Sequence, residues 1–126
     1  LAQLVYDREI QQQLQIVRRA NEKQEEYQFR IQQAQQFYRA AKLDSNAFLG
    51  MLQYDMENWD AAINWMDQRL LQIDGTQKWH GQARYILGRA NENKAVFSEA
   101  IGWYKIDGSS QEAGNRIRIR LLEKGK

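Results

Sequence analysis

Between residues 3 and 42, apolar or small side chains recur at Ile10, Leu14, Val17, Ala20, Tyr27, Ile31, Ala34, Tyr38 and Ala41, mostly three or four apart. That is the period of one helix face. It predicts either a single helix of about 60 Å at 1.5 Å per residue or two helices with an unmarked turn, Asn21 being the weakest helix former near the middle. The opposite face is Gln-rich and of mixed charge (Arg18, Arg19, Glu22, Lys23, Glu25, Glu26) and reads as solvated. Asp44-Ser45-Asn46 is expected to end this stretch and to cap the next helix, over 47–56. Further helices are predicted over 59–73, 77–93, 97–106 and 109–122. Glu57-Asn58, Asp74-Gly75 and Asp107-Gly108 mark the turns, and Ser109 with Glu112 has capping-box spacing. Connections this short make neighbouring helices antiparallel. The chain contains no proline, which costs about 3 kcal/mol inside a helix. The predicted fold class is all-α, one helical domain.

An internal repeat is visible within it. Gly50 and Gly88 lie 38 residues apart, as do Leu49 and Leu87, Ala62 and Ala100, Ile63 and Ile101, and Trp65 and Trp103; Trp59/Phe97 and Met66/Tyr104 match in kind. Small residues let a neighbouring helix approach, and the large ones fill the space between helices. In this order of residues the chain resembles the tetratricopeptide repeat (TPR) family, whose unit is a helix–turn–helix of about 34 residues. Leu49-Gly50, Trp59, Ala62 and Met66 carry the match in one unit, and Leu87-Gly88, Phe97, Ala100 and Tyr104 in the next. Departures are Gln53 and Asn91 at usually aromatic positions, Glu57 and Ala95 in place of a turn glycine, and the missing closing proline. Residues 1–43 then form a long amphipathic helix or a degenerate first unit, 44–75 and 76–108 two repeat units, and 109–126 a capping helix.

The resemblance implies a right-handed stack of helical hairpins whose first helices line a concave groove. Carried over to this chain, the lining is Asp44, Ala47, Met51, Tyr54 and Asp55, then Gln82, Tyr85, Arg89, Glu92 and Asn93, with Asn115 and Ile119 at the end. Family members that grip a C-terminal carboxylate use Lys, Asn and Arg, where this chain has Ala47, Met51, Gln82 and Ile86, so that ligand is not expected. The implied function is a non-enzymatic protein–protein interaction module for a peptide or helix of a partner.

Composition removes many other functions. The 18 Lys+Arg against 16 Asp+Glu, net +2, are too balanced for a dedicated nucleic-acid binder. Without cysteine there is no disulfide, thiolate zinc site or cysteine nucleophile, and the compartment stays open. No apolar run approaches the roughly 18 residues of a membrane span. The start at Leu1 without a leader suggests a processed or excised piece of something longer.

His80 is the only side chain suited to general-base work near neutrality, but it lies in no nucleophile motif and is expected to serve at the surface or at a helix end. Asp55, Asp60, Asp67 and Glu92 are scattered, and phosphate-loop, calcium and zinc motifs are missing. No catalytic residue, metal or cofactor is expected.

Two surfaces carry alternatives. Arg116, Arg120 and Lys124 share one face of the last helix, with Arg118 elsewhere and Ile117, Leu121 and Leu122 as its apolar stripe. This reads as an end-capping helix, with contact to an acidic partner, phosphate or membrane surface as the other readings. The spacing of Ile10, Val17, Ile31 and Tyr38 also suits a coiled-coil seam. Because the part before Glu22 has no evident intrachain partner, homo-oligomerisation through residues 1–43 is the second functional expectation.

Overall fold

With no proline to interrupt it, this chain stays helical until side chains or a turn capture the backbone. The computed structural model describes residues 2–106 and 111–125. Among them, every regular element is helical: α1 (Ala2–Gln13), α2 (Gln24–Asp55), α3 (Trp59–Met66), α4 (His80–Asn93), α5 (Phe97–Lys105) and α6 (Glu112–Lys124). Helix α3 continues directly into a π-helical turn, Asp67–Leu71. The protein is all-α.

The N-terminal stretch is two helices, and α1 folds back along α2. Residues 14–23 form an irregular strap in which Asn21 adopts a left-handed conformation, φ 64°. Polar side chains fasten this strap to the start of α2. Tyr27 Oη donates to the Ile16 carbonyl at 2.8 Å and Arg30 Nη2 to that of Val17 at 2.9 Å. The Glu22 carboxylate accepts from Arg30 at 2.7 and 2.8 Å and from the Arg19 amide at 2.9 Å. The return lets α1 bury Tyr6 and Ile10 completely, contributing about 1.5–3 kcal/mol each. Tyr6 Oη donates to the Arg39 carbonyl at 2.5 Å, and ion pairs Asp7–Arg39 (2.7 Å) and Glu9–Arg69 (3.2 Å) flank it. The segment before Glu22, which the sequence left without an intrachain partner, thus finds one in α2.

The expected stop at Asp44-Ser45-Asn46 does not occur. Helix α2 runs through it to Asp55. Such residues end helices by bonding their own backbone, but here both side chains are engaged elsewhere. Asp44 accepts from Trp79 Nε1 at 2.8 Å, and Asn46 Nδ2 donates to the Arg69 carbonyl at 2.9 Å. At the other end of the loop after α3, helix α4 starts at His80 rather than at Gln77. Asp74, buried, accepts from the Thr76 amide (3.1 Å), the Thr76 hydroxyl (2.6 Å) and the Trp79 amide (3.0 Å), and Gln77 is left-handed. The predicted stop at Asp107-Gly108 and the capping Ser109 lie outside the described residues.

From α2 onward, each helix packs on the next, and α2 also touches α4. Two hairpins repeat the same construction. Helix α2 closes with Asn58 N–H donating to Gln53 O (2.9 Å) and Glu57 N–H to Tyr54 O (3.0 Å); α4 closes with Val96 N–H to Asn91 O (2.9 Å) and Ala95 N–H to Glu92 O (2.9 Å). These are Schellman closures, and the residue they force into left-handed geometry is Glu57 (φ 62°) in one and Ala95 (φ 61°) in the other. The close approach also recurs. A Cβ on Gly50 would sit 2.7 Å from Met66 Cε, and one on Gly88 2.4 Å from Tyr104 Cε1. Ala47, Met66, Leu70, Ala83, Ile86 and Leu87 join Tyr6 and Ile10 in one continuous core.

Candidate functional site

Helices α2 and α4 run side by side in the same direction, and their polar and aromatic residues meet in successive rungs. In the first rung Asp44 accepts from Trp79 Nε1 and from Lys78 Nζ at 3.1 Å, while Phe48 stands edge-on to the Trp79 ring at 5.7 Å. The Trp79 N–H, and after it the Lys78 ammonium, hold the Asp44 carboxyl below the ordinary carboxylate range. A cleft of about 280 Å³ opens beside this rung, lined by Ala40, Leu43, Asp44, Lys78 and Trp79 among others. In the second rung Gln82 Nε2 donates to Met51 Sδ at 3.4 Å.

The third rung is a network. Arg89 Nε donates to Tyr54 Oη at 3.4 Å and Arg89 Nη1 to Glu92 Oε2 at 3.1 Å, and Tyr104 Oη donates to Glu92 Oε1 at 2.9 Å. Burial, reinforced by this bond to Glu92, pushes the Tyr104 phenol above its ordinary range, so it remains a donor at neutral pH. Hydrogen bonding to Tyr54 favours the cationic form of Arg89. The Tyr54 ring is set edge-on by Trp59 at 5.5 Å, and the Arg118 guanidinium lies 6.0 Å from the centre of the Tyr85 ring. A half-buried guanidinium with a phenol and a carboxylate already on it can recognise a partner's carbonyl or carboxylate at little further ordering cost.

No family model matches this chain, and no curated protein or solved structure is significantly similar to it. What the chain does must therefore be read from its own geometry.

Of the twelve residues expected to line the groove, the rungs bring together Asp44, Met51, Tyr54, Gln82, Arg89 and Glu92. Tyr85 and Ile119 are half-buried, while Asp55 and Asn93 are exposed, the Asn93 amide donating back to the Arg89 carbonyl at 2.8 Å. Ala47 and Asn115 are sealed at 0% exposure, so they belong to helix packing and line nothing. The sequence reading missed Lys78, Trp79, Tyr104 and Arg118. The first two sit in the loop before α4, outside any periodic face. Tyr104 was placed as a filler of inter-helix space, which its ring is, but its hydroxyl reaches the polar network.

His80 Nε2 lies 3.0 Å from the Asp74 carbonyl, so the imidazole braces the loop at the start of α4. Among the described residues, no group of three metal-ligating side chains is assembled, and no helix is long and apolar enough to cross a membrane.

Proposed function

We propose that this chain is a non-enzymatic protein–protein interaction module, with hairpins stacked in the right-handed tetratricopeptide manner, that holds an extended peptide or helix of a partner along the α2/α4 face. The observation that carries this reading is the ladder Asp44–Trp79, Met51–Gln82 and Tyr54–Arg89, which sets aromatic, amide and guanidinium groups in a row along two parallel helices and the turn that leads into α4. Aromatic and Arg side chains of this kind dominate the energetics of peptide-docking surfaces. The matching closures at Glu57 and Ala95 and the matching approaches at Gly50 and Gly88 support the stacked-hairpin part of the proposal.

Peptides selected by display against the intact chain test it. Replacing Tyr54 and Arg89 together by Ala should weaken the selected peptides by at least about tenfold, roughly the loss of one hot-spot contact. Peptides that bind this double variant with wild-type affinity, while its circular dichroism remains native, would show the face to be wrong.

A further inference from the structure

The stack of helices ends in two apolar faces of opposite charge. At one end, α2 turns Leu49, Leu52 and Met56 away from its neighbours, with exposures of 37, 50 and 58%. Their spacing of three and four makes them one stripe. Asp55 and Glu57 are exposed where that stripe stops. At the other end, α6 packs on α5 and leaves Ile117 and Leu121 at 61 and 64% exposure. Exposed Arg120 and Lys124 border this second stripe, whereas Glu123 is drawn toward Lys105, 3.8 Å away.

We propose that a second copy of this chain occupies each face, α6 of one copy docking head to tail on the Leu49–Leu52–Met56 stripe of the next. Charge chooses this occupant. Pairing two α6 faces sets Arg120 and Lys124 against their own kind, and pairing two α2 faces brings Asp55 and Glu57 no cation, whereas the mixed pairing joins opposite signs. Length permits it: from Leu49 to Met56 the α2 stripe runs for about 11 Å, and α6, with 13 residues and about 20 Å, is long enough to cover it. A heterologous contact of this type leaves one free face at each end of a dimer, so assembly continues with concentration. The α2/α4 ladder takes no part in the contact, so the two proposals stand or fall separately.

Sedimentation of the full chain at low salt, from about 10 µM to about 1 mM, tests the contact. The average mass should climb past the dimer. Leu52→Glu and Leu121→Glu, both at exposed sites, should each be monomeric alone, because each leaves one face dead. Mixed in equal amounts, they should form a 1:1 dimer that grows no further. Asp55→Arg should weaken association about threefold, and Arg120→Asp in the facing copy should restore it, which reads the contact even if a Glu variant unfolds. A wild-type monomer at the highest concentration overturns the proposal. So does self-association of Leu121→Glu alone, which would mean α2 pairing with α2, or of Leu52→Glu alone, which would mean α6 pairing with α6.

Discussion

Replacing Gly88 by Ala adds one methyl group to a place already filled. Its carbon would lie 2.4, 2.6 and 3.0 Å from Cε1, Cδ1 and Cζ of Tyr104. That ring is 2% exposed and tied through its hydroxyl to Glu92, so it has no free direction in which to move. Overpacking of this sort costs about 1–3 kcal/mol, and the upper end applies to a pinned ring. The helix-propensity gain of Gly→Ala returns about 1 kcal/mol. The net expectation is a loss of about 2 kcal/mol.

Two companions calibrate that number. At Gly50 the nearest atoms are Met66 Cε at 2.7 Å and Sδ at 3.1 Å, the far end of a flexible thioether, with Trp65 Cβ at 3.3 Å. There the clash and the propensity gain should roughly cancel, within about 1 kcal/mol of wild type. At Gly102 a Cβ meets nothing within 4 Å, so Ala should stabilise by about 1 kcal/mol. Urea unfolding followed by circular dichroism, with slopes compared to confirm that only stability changes, ranks the three variants. If Gly88→Ala proves as stable as Gly102→Ala, α4 does not approach α5 through Gly88, and the account of the hairpin fails.

Glu57→Gly and Ala95→Gly should each stabilise the protein by about 1 kcal/mol, since both residues hold positive φ that glycine adopts without strain; thermal melts check this, and a loss of stability in both would contradict the closures. Tyr6→Phe should cost about 1 kcal/mol by removing the bond to the Arg39 carbonyl, and hydrogen exchange should quicken in α1 before it does in α4. The Glu22 carboxyl, held down to about 2 from 4.5 by Arg30 first and then by the Arg19 amide, favours the folded strap fully above pH 4.5. That contribution fades as pH falls toward 2, because the unfolded chain takes up the proton first. A carboxyl resonance of Glu22 that titrates near 4.5 in the folded protein would refute it.

The parts of the fold that rest on local chemistry were legible in the sequence. Glu57-Asn58 and Asp74-Gly75 turn the chain where they were expected to, and the glycines 38 residues apart both lie where a helix comes close. What was not legible depends on distant partners. Asp44 and Asn46 look like a helix stop until Trp79 and the Arg69 carbonyl, 35 and 23 residues away, occupy them. The return of α1 was hidden for the same reason, because its strap holds only when Arg30 and Tyr27 of the finished α2 reach back to it. In the candidate site, Tyr54, Arg89 and Glu92, residues that the family resemblance put along a groove, meet in one network. A rotation of about 100° per residue then separates lining from packing, which is how Ala47 came to be counted on the wrong side.

The twin closures at Glu57 and Ala95 are interchangeable joints. Splicing out residues 58–95 would carry the chain from the first joint straight into α5, in the same backbone geometry that α3 follows now. Gly50 would then face Tyr104 in the place of Met66, and the shortened molecule would inherit a working seam. A gene encoding this chain could thus lose or gain a 38-residue segment with the α2 seam kept, at the cost of the partners that Glu9, Asn46 and Asp44 find in Arg69 and Trp79.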